Sequence, residues 1–124
     1  MPYICSMKIK GFIIENDRTI LRNGGFANGY VVIPEGHPLW GLDYNSEEIE
    51  GLNVHGGITF SQKADEKMVN HVLWGKDLDE EDLGSWVIGF DTRHTGDTLE
   101  RWPQAKVERE VINLIKQVEK LVIV

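Results

Sequence analysis

The chain has 124 residues, 41% of them hydrophobic and four of them Trp, which is enough apolar material for one core and too little length for two ordinary domains, so residues 1–124 are expected to form a single domain. Thirteen basic against twenty acidic side chains leave a net charge of −7, which repels duplex nucleic acid and anionic membrane surfaces and sets both aside as general partners. The single cysteine, Cys5, has no intrachain disulfide partner and suits a reducing, cytoplasmic setting as a small buried hydrophobe; no secretory pattern opens the chain and no apolar run approaches the roughly 20 residues of a membrane-spanning helix.

Residues 9–14 and 19–21 are β-branched segments around the polar turn Glu15-Asn16-Asp17-Arg18, and this pattern predicts a hairpin. Asn23-Gly24-Gly25 and Asn28-Gly29 offer residues that tolerate positive φ. Tyr30-Val31-Val32-Ile33 follows as a short buried strand ended by Pro34. Residues 35–43 read as a loop that packs back on the body, because Gly36, Pro38 and Gly41 break regular structure while Leu39 and Trp40 are too apolar to stay in water. Residues 54–61 return to strand character, with Gly56-Gly57 implying a bulge or a close backbone approach. Residues 76–82 carry so many like charges that a solvated loop or short helix is expected.

Ser85-Trp86-Val87-Ile88-Gly89-Phe90 is the clearest buried strand, and it runs directly into Asp91, Arg93, His94 and Asp97. From Pro103 the period changes. Val107, Val111, Leu114, Ile115, Val118, Leu121 and Val122 recur at helical spacing, opposite Glu108, Arg109, Lys116 and Lys120, and Pro103 suits the first turn of such a helix. The predicted fold class is α+β, a two-layer arrangement in which an antiparallel β-sheet containing residues 30–33, 58–60 and 86–90 is covered by a C-terminal amphipathic helix over residues 103–121. Val87, Phe90, Val111, Leu114 and Val118 are its expected core.

Of the four histidines, His37, His55, His71 and His94, His55 and His94 stand out because they sit beside glycine or carboxylate residues at predicted strand ends. His55, Asp91, His94 and Asp97 together offer imidazole nitrogen and carboxylate oxygen of the kind that suits zinc, manganese or iron. Neither a His-Glu-x-x-His helix nor a Cys-x-x-Cys pair occurs, so the residues alone assign no metal and no cofactor. The same loops also suggest anion binding, with backbone N–H groups at Gly56 and Gly57 and positive charge from Arg93 and His94; the commonplace alternative for Arg93 is an ion pair with Asp91 or Asp97. Trp86 is expected in the core, and Trp40 and Trp102 are the tryptophans expected to meet a ligand. Glu110 and Gln117 flank the apolar stripe of the helix, where a polar side chain can either cap a neighbouring loop or face a partner subunit, and the structural role is the expected one. Nucleophile elbows, Walker loops and dinucleotide glycine fingerprints are all missing.

The ordered motifs Gly29-Tyr30-Val31-Val32-Ile33-Pro34, His37-Pro38, Gly41, Val54-His55-Gly56-Gly57-Ile58-Thr59-Phe60, Gly89-Phe90-Asp91, His94 and Gly96-Asp97, followed by Val107 and Glu110, resemble a family of short uncharacterised phage and prophage proteins. That family carries a Gly-Tyr-Val strand, a His-Pro loop, a His-Gly-Gly-Leu-Thr-Tyr strand and a Trp-Trp-x-Gly-Phe-Asp-x-x-His-x-Gly-Asp segment ahead of a helix with Val-x-x-Glu spacing. The likeness spans residues 29–117. This chain departs from it in having Ile58 and Phe60 for Leu and Tyr, Val87 for a second Trp, and Thr92-Arg93 for Cys-Ala. The last change removes a thiol and adds a cation, which favours an anion over a metal.

What the resemblance implies is a phage accessory protein in the host cytoplasm. The leading expectation is a homo-oligomeric, non-enzymatic protein that binds a small anionic ligand without cleaving it, a nucleotide immune signal being one such ligand. Its expected site is His55, Gly56, Gly57, Asp91, Arg93, His94, Asp97 and Trp40. The rivals are a metal-dependent hydrolase using His55, Asp91, His94 and Asp97, and a protein-binding accessory whose acidic residues 77–82 mimic nucleic acid.

Overall fold

The computed structural model describes residues 9–18 and 23–121. Four strands, β1 (Lys10–Glu15), β2 (Ala27–Ile33), β3 (Phe60–Lys63) and β4 (Trp86–Phe90), form one antiparallel sheet in the order β1-β2-β4-β3. Two single-turn helices, α1 (Glu47–Glu50) and α2 (Glu66–Val69), and 3₁₀ turns at Trp74–Lys76 and Glu80–Asp82 lie in the connections; the chain then enters the long helix α3 (Gln104–Lys120). The α+β class and the antiparallel sheet under a C-terminal helix are as the hydrophobic periods predict. Among the described residues no helix is long and apolar enough to cross a membrane.

Strand pairing differs from the local reading. β1 pairs residue by residue with β2, from Lys10 opposite Val32 to Glu15 opposite Ala27, and not across the polar turn at residues 15–18. The expected second arm, residues 19–21, lies outside the described residues, as do Cys5 and Val122. β2 also begins earlier than expected, because Asn28 and Gly29 are in the strand instead of a turn. Gly29 is needed for its missing side chain and not for its φ: a Cβ there would lie 2.6 Å from a Val111 methyl and 2.5 Å from the Phe90 ring, so its absence lets α3 press onto the sheet.

The α3 face of the sheet is built by alternation. Ala27, Val31 and Ile33 of β2 and Ile88 and Phe90 of β4 join Val107, Val111, Leu114 and Val118 of α3 in one buried cluster. The helix begins at Gln104, one residue later than expected. Pro103 is its extended N-cap, with its carbonyl accepting from Lys106 and Val107. Leu121, expected on the apolar face, follows the last turn and is exposed. Trp86 is half-buried against this cluster, and its indole N–H donates to Leu42 O and Ser61 Oγ. The 35–43 loop packs inward as expected. Leu39 is buried and the His37 ring bridges it to the helix: Nδ1 accepts from Leu39 N at 3.0 Å, so Nε2 carries the proton and donates to Val118 O at 2.8 Å.

The opposite face is not left to solvent, which corrects the two-layer expectation. Phe12, Tyr30, Val32 and Val87 meet Ala64, Met68 and Leu78 from the β3–β4 connection. Val87 therefore belongs to this second core, whereas Phe90, three residues on, faces the helix. Tyr30 is its centre, with ring centroids 5.5 Å from Phe12, 5.5 Å from Phe60 and 4.6 Å from Trp74. The acidic stretch is largely exposed, as its charge demands. Asp79 and Asp82 form a capping box, and Asp82 receives Lys10 Nζ at 2.6 Å.

Candidate functional site

β3 and β4 run antiparallel with Phe60 opposite Gly89, so the residues entering β3 and those leaving β4 meet at the same end of the sheet. The β3 entry is a turn and not the strand expected for residues 54–59: Gly57 N donates to Val54 O at 3.0 Å, and Gly56 and Gly57 have φ of 69° and 79°. Both conformations disfavour a side chain. Gly56 is constrained twice, since a Cβ there would lie 2.1 Å from His94 Nε2. The close backbone approach inferred from the glycine pair is thus an approach to the His94 imidazole.

α3 fixes the same turn from below. Glu110 Oε2 accepts from His55 N at 2.8 Å, while Gln117 grips Asn53, accepting from its N–H at 2.7 Å and donating to its carbonyl at 2.8 Å. Glu110 and Gln117 are the loop caps that their position at the edge of the apolar stripe implied. Trp102, expected to meet a ligand, is instead buried against His55, with ring centroids 4.2 Å apart.

His55 Nε2 lies 2.9 Å from Asp97 Oδ1 and 2.9 Å from Oδ2, and Asp97 Oδ2 also accepts from His94 N at 2.9 Å. Asp97 is buried, with 5% of its surface exposed, and its backbone is tied to His94 O and Gly24 N. The His94 ring meets the His55 ring edge-on at 5.4 Å. Its Nε2 is buried against Gly56, 3.2 Å from Asp91 Oδ1 but out of hydrogen-bond alignment, so it has no hydrogen-bond partner. Asp91 has aligned partners of its own: Oδ1 accepts from Arg93 N and Oδ2 from Thr59 Oγ1.

His55, Gly56, Asp91, His94 and Asp97 therefore converge, with Gly57 completing the turn. Arg93 stands exposed at the rim, and among the described residues no carboxylate pairs with its guanidinium, against the commonplace expectation for it. Trp40 is not part of the group. It packs on Trp86 at the start of β4, its N–H donating to Gly84 O at 2.8 Å, whereas His94 follows the strand's other end. Three side chains escaped the sequence reading: Thr59, which holds Asp91, and Thr92 and Asn28, which tie the β4 exit to β2. The polar residue two positions past the glycine pair was the available signal for Thr59; nothing local marked the other two.

Among the described residues, His55, His94 and Asp97 each offer a ligand atom within 4.8 Å of the others. Zinc holds nitrogen and oxygen at about 2.0–2.2 Å, so these atoms would have to draw closer together to share one ion. The donor set, two imidazoles and one carboxylate, is one that zinc, manganese and iron accept. Comparison with family models, with curated proteins and with solved structures gives no match.

Proposed function

We propose that the protein binds a divalent transition-metal ion through His55, His94 and Asp97, and that the ion is the point on which a small ligand is held. The observation that carries this reading is the donor set of His55, His94 and Asp97 within 4.8 Å of one another, in which the buried His94 Nε2 has only an unaligned contact with Asp91 Oδ1 at 3.2 Å. A buried polar atom left unsatisfied is costly unless something completes it. The metal-free arrangement is poorly suited to the anion expected from Gly56, Gly57 and Arg93. Gly57 N is spent on Val54 O, and the carboxylates of Asp91, Asp97 and Glu110 surround the two imidazoles with one guanidinium to oppose them. A divalent cation reverses that balance.

Three protein ligands leave a coordination position open, as in catalytic zinc sites, where a bound ion supplies Lewis acidity to a ligand or to water. Retention and hydrolysis are separated by whether a ligand is recovered intact after heat release. The metal reading is tested by metal content after dialysis and by thermal denaturation with Zn²⁺ or Mn²⁺. Binding at 100 times Kd stabilises the fold by about 2.7 kcal/mol. The rise in Tm should disappear in His94→Gln, whose half-exposed side chain leaves the fold intact, and in His55→Ala. A shift of equal size in both variants, or none in the wild type with either ion, would overturn the reading.

A further inference from the structure

Beside His94 and Asp97 the surface opens into a cavity of about 480 Å³, whose other walls include Asn23, Arg93, Thr95 and Thr98. This is within the size range of small-molecule sites. Asn23 and Thr98 also line a second hollow of about 300 Å³ that continues toward Arg18. The two hollows adjoin through Asn23 and Thr98, and the first reaches His94 and Asp97 of the cluster. Their cations differ in what they do. Arg18 donates to the carbonyls of Gly24 and Gly25, both at 2.9 Å, so it is spent on holding the loop, and it shares the second hollow with the Glu100 carboxylate. Among the described residues no carboxylate or carbonyl engages the Arg93 guanidinium at the first cavity.

We infer that the first cavity takes a phosphate monoester, its phosphoryl group bridging a metal on His55, His94 and Asp97 and the Arg93 guanidinium, with the organic part lying toward Asn23 and Thr98. The inference rests on the metal reading above. A planar guanidinium pairs two oxygens of a phosphate side by side, leaving the third terminal oxygen for the metal. A carboxylate can also bridge two cations, but it gives one oxygen to each, whereas a phosphate monoester keeps two for the guanidinium and a third for the metal. Two cationic partners on different sides therefore match a tetrahedral dianion better than a carboxylate. The hydroxyl and amide groups of Thr98 and Asn23 suit the uncharged, polar part of an ester.

The experiment has two stages, so that the metal reading and this inference fail separately. Zn²⁺ is first titrated alone; lack of binding removes the metal reading and this inference with it. The zinc-loaded protein is then titrated calorimetrically with phenyl phosphate and with benzoate. Phenyl phosphate should bind more tightly than benzoate, should lose about tenfold or more in Arg93→Ala, and should recover in part in Arg93→Lys, which restores charge without the fork. Arg93 is exposed, so neither variant disturbs the fold. Zinc binding with equal affinity for the two anions, unchanged affinity in Arg93→Ala, or equal phosphate affinity with and without zinc would each overturn the bridging site.

Discussion

His55 Nε2 is shared between the two oxygens of the buried Asp97 carboxylate, 2.9 Å from each. Asp97 Oδ2 accepts from both the His55 ring and the His94 backbone, and Oδ1 faces His55 Nε2 as well; an amide that keeps its oxygen at the Oδ2 position puts an N–H donor where Oδ1 faced that ring nitrogen. Asp97→Asn should therefore force His55 into the tautomer whose Nε2 accepts. The expected cost is about 1–3 kcal/mol, the range for losing a charge-assisted hydrogen bond, read from urea denaturation. Nitrogen chemical shifts of the His55 ring check the tautomer; an unchanged ring with unchanged stability would mean that the carboxylate does not hold His55.

Leu114 is fully buried between α3 and the sheet, whereas Ile112, two residues earlier, is 51% exposed. Leu114→Ala should cost about 2–5 kcal/mol through lost burial and an unfilled cavity. Ile112→Ala should change stability by less than about 0.5 kcal/mol. Equal losses in the two variants would show that the outer face of α3 is also covered in solution.

Gly56 and Gly57 make a built-in comparison. Both have positive φ, but a Cβ on Gly57 meets nothing within 4 Å, while one on Gly56 reaches the His94 ring. Gly57→Ala should show only the backbone cost of the left-handed region, about 1–2 kcal/mol. Gly56→Ala should cost more and should also displace the imidazole, lowering Zn²⁺ affinity by about tenfold or more, as changes to groups that orient a ligand do. Identical stabilities and identical zinc affinities for the two variants would show that the Gly56–His94 contact has no energetic role.

The glycine pair and the polar residues after β4 were legible because each carries a local signal: two adjacent residues with no side chain, and charges placed where a buried strand ends. Antiparallel pairing then brings them together. The amphipathic period of α3 was legible for the same reason, down to the loop-capping Glu110 and Gln117. What escaped depends on partners distant in sequence. Ala64, Met68 and Leu78 cover the second face of the sheet from a segment with no period, hidden among charged residues. β1 finds β2 by skipping the intervening chain, which no hairpin rule encodes. Trp40 is claimed by the carbonyl of Gly84, forty-four positions away.

Tyr30 links the second core to the site, and its titration gives a pH prediction. Burial among Phe12, Phe60 and Trp74 pushes its phenol above the ordinary value of 10.0; the nearby Asp91 charge pushes the same way, while the Asn28 hydrogen bond and Arg93 pull it down by less. With the folded value raised, the unfolded chain ionises first as pH rises. It then holds fewer protons than the fold, so stability falls with pH. The stabilisation is fully present below about pH 10 and is lost progressively as pH rises through the higher folded value. Stability measured in urea from about pH 9 to about pH 11 should therefore fall less steeply in Tyr30→Phe than in the wild type. The variant should start lower, because the Asn28 side chain keeps Thr92 N but loses the Tyr30 hydroxyl, and the two curves should converge toward alkaline pH. Parallel curves across that window would mean that the Tyr30 phenol ionises as readily in the fold as in the unfolded chain.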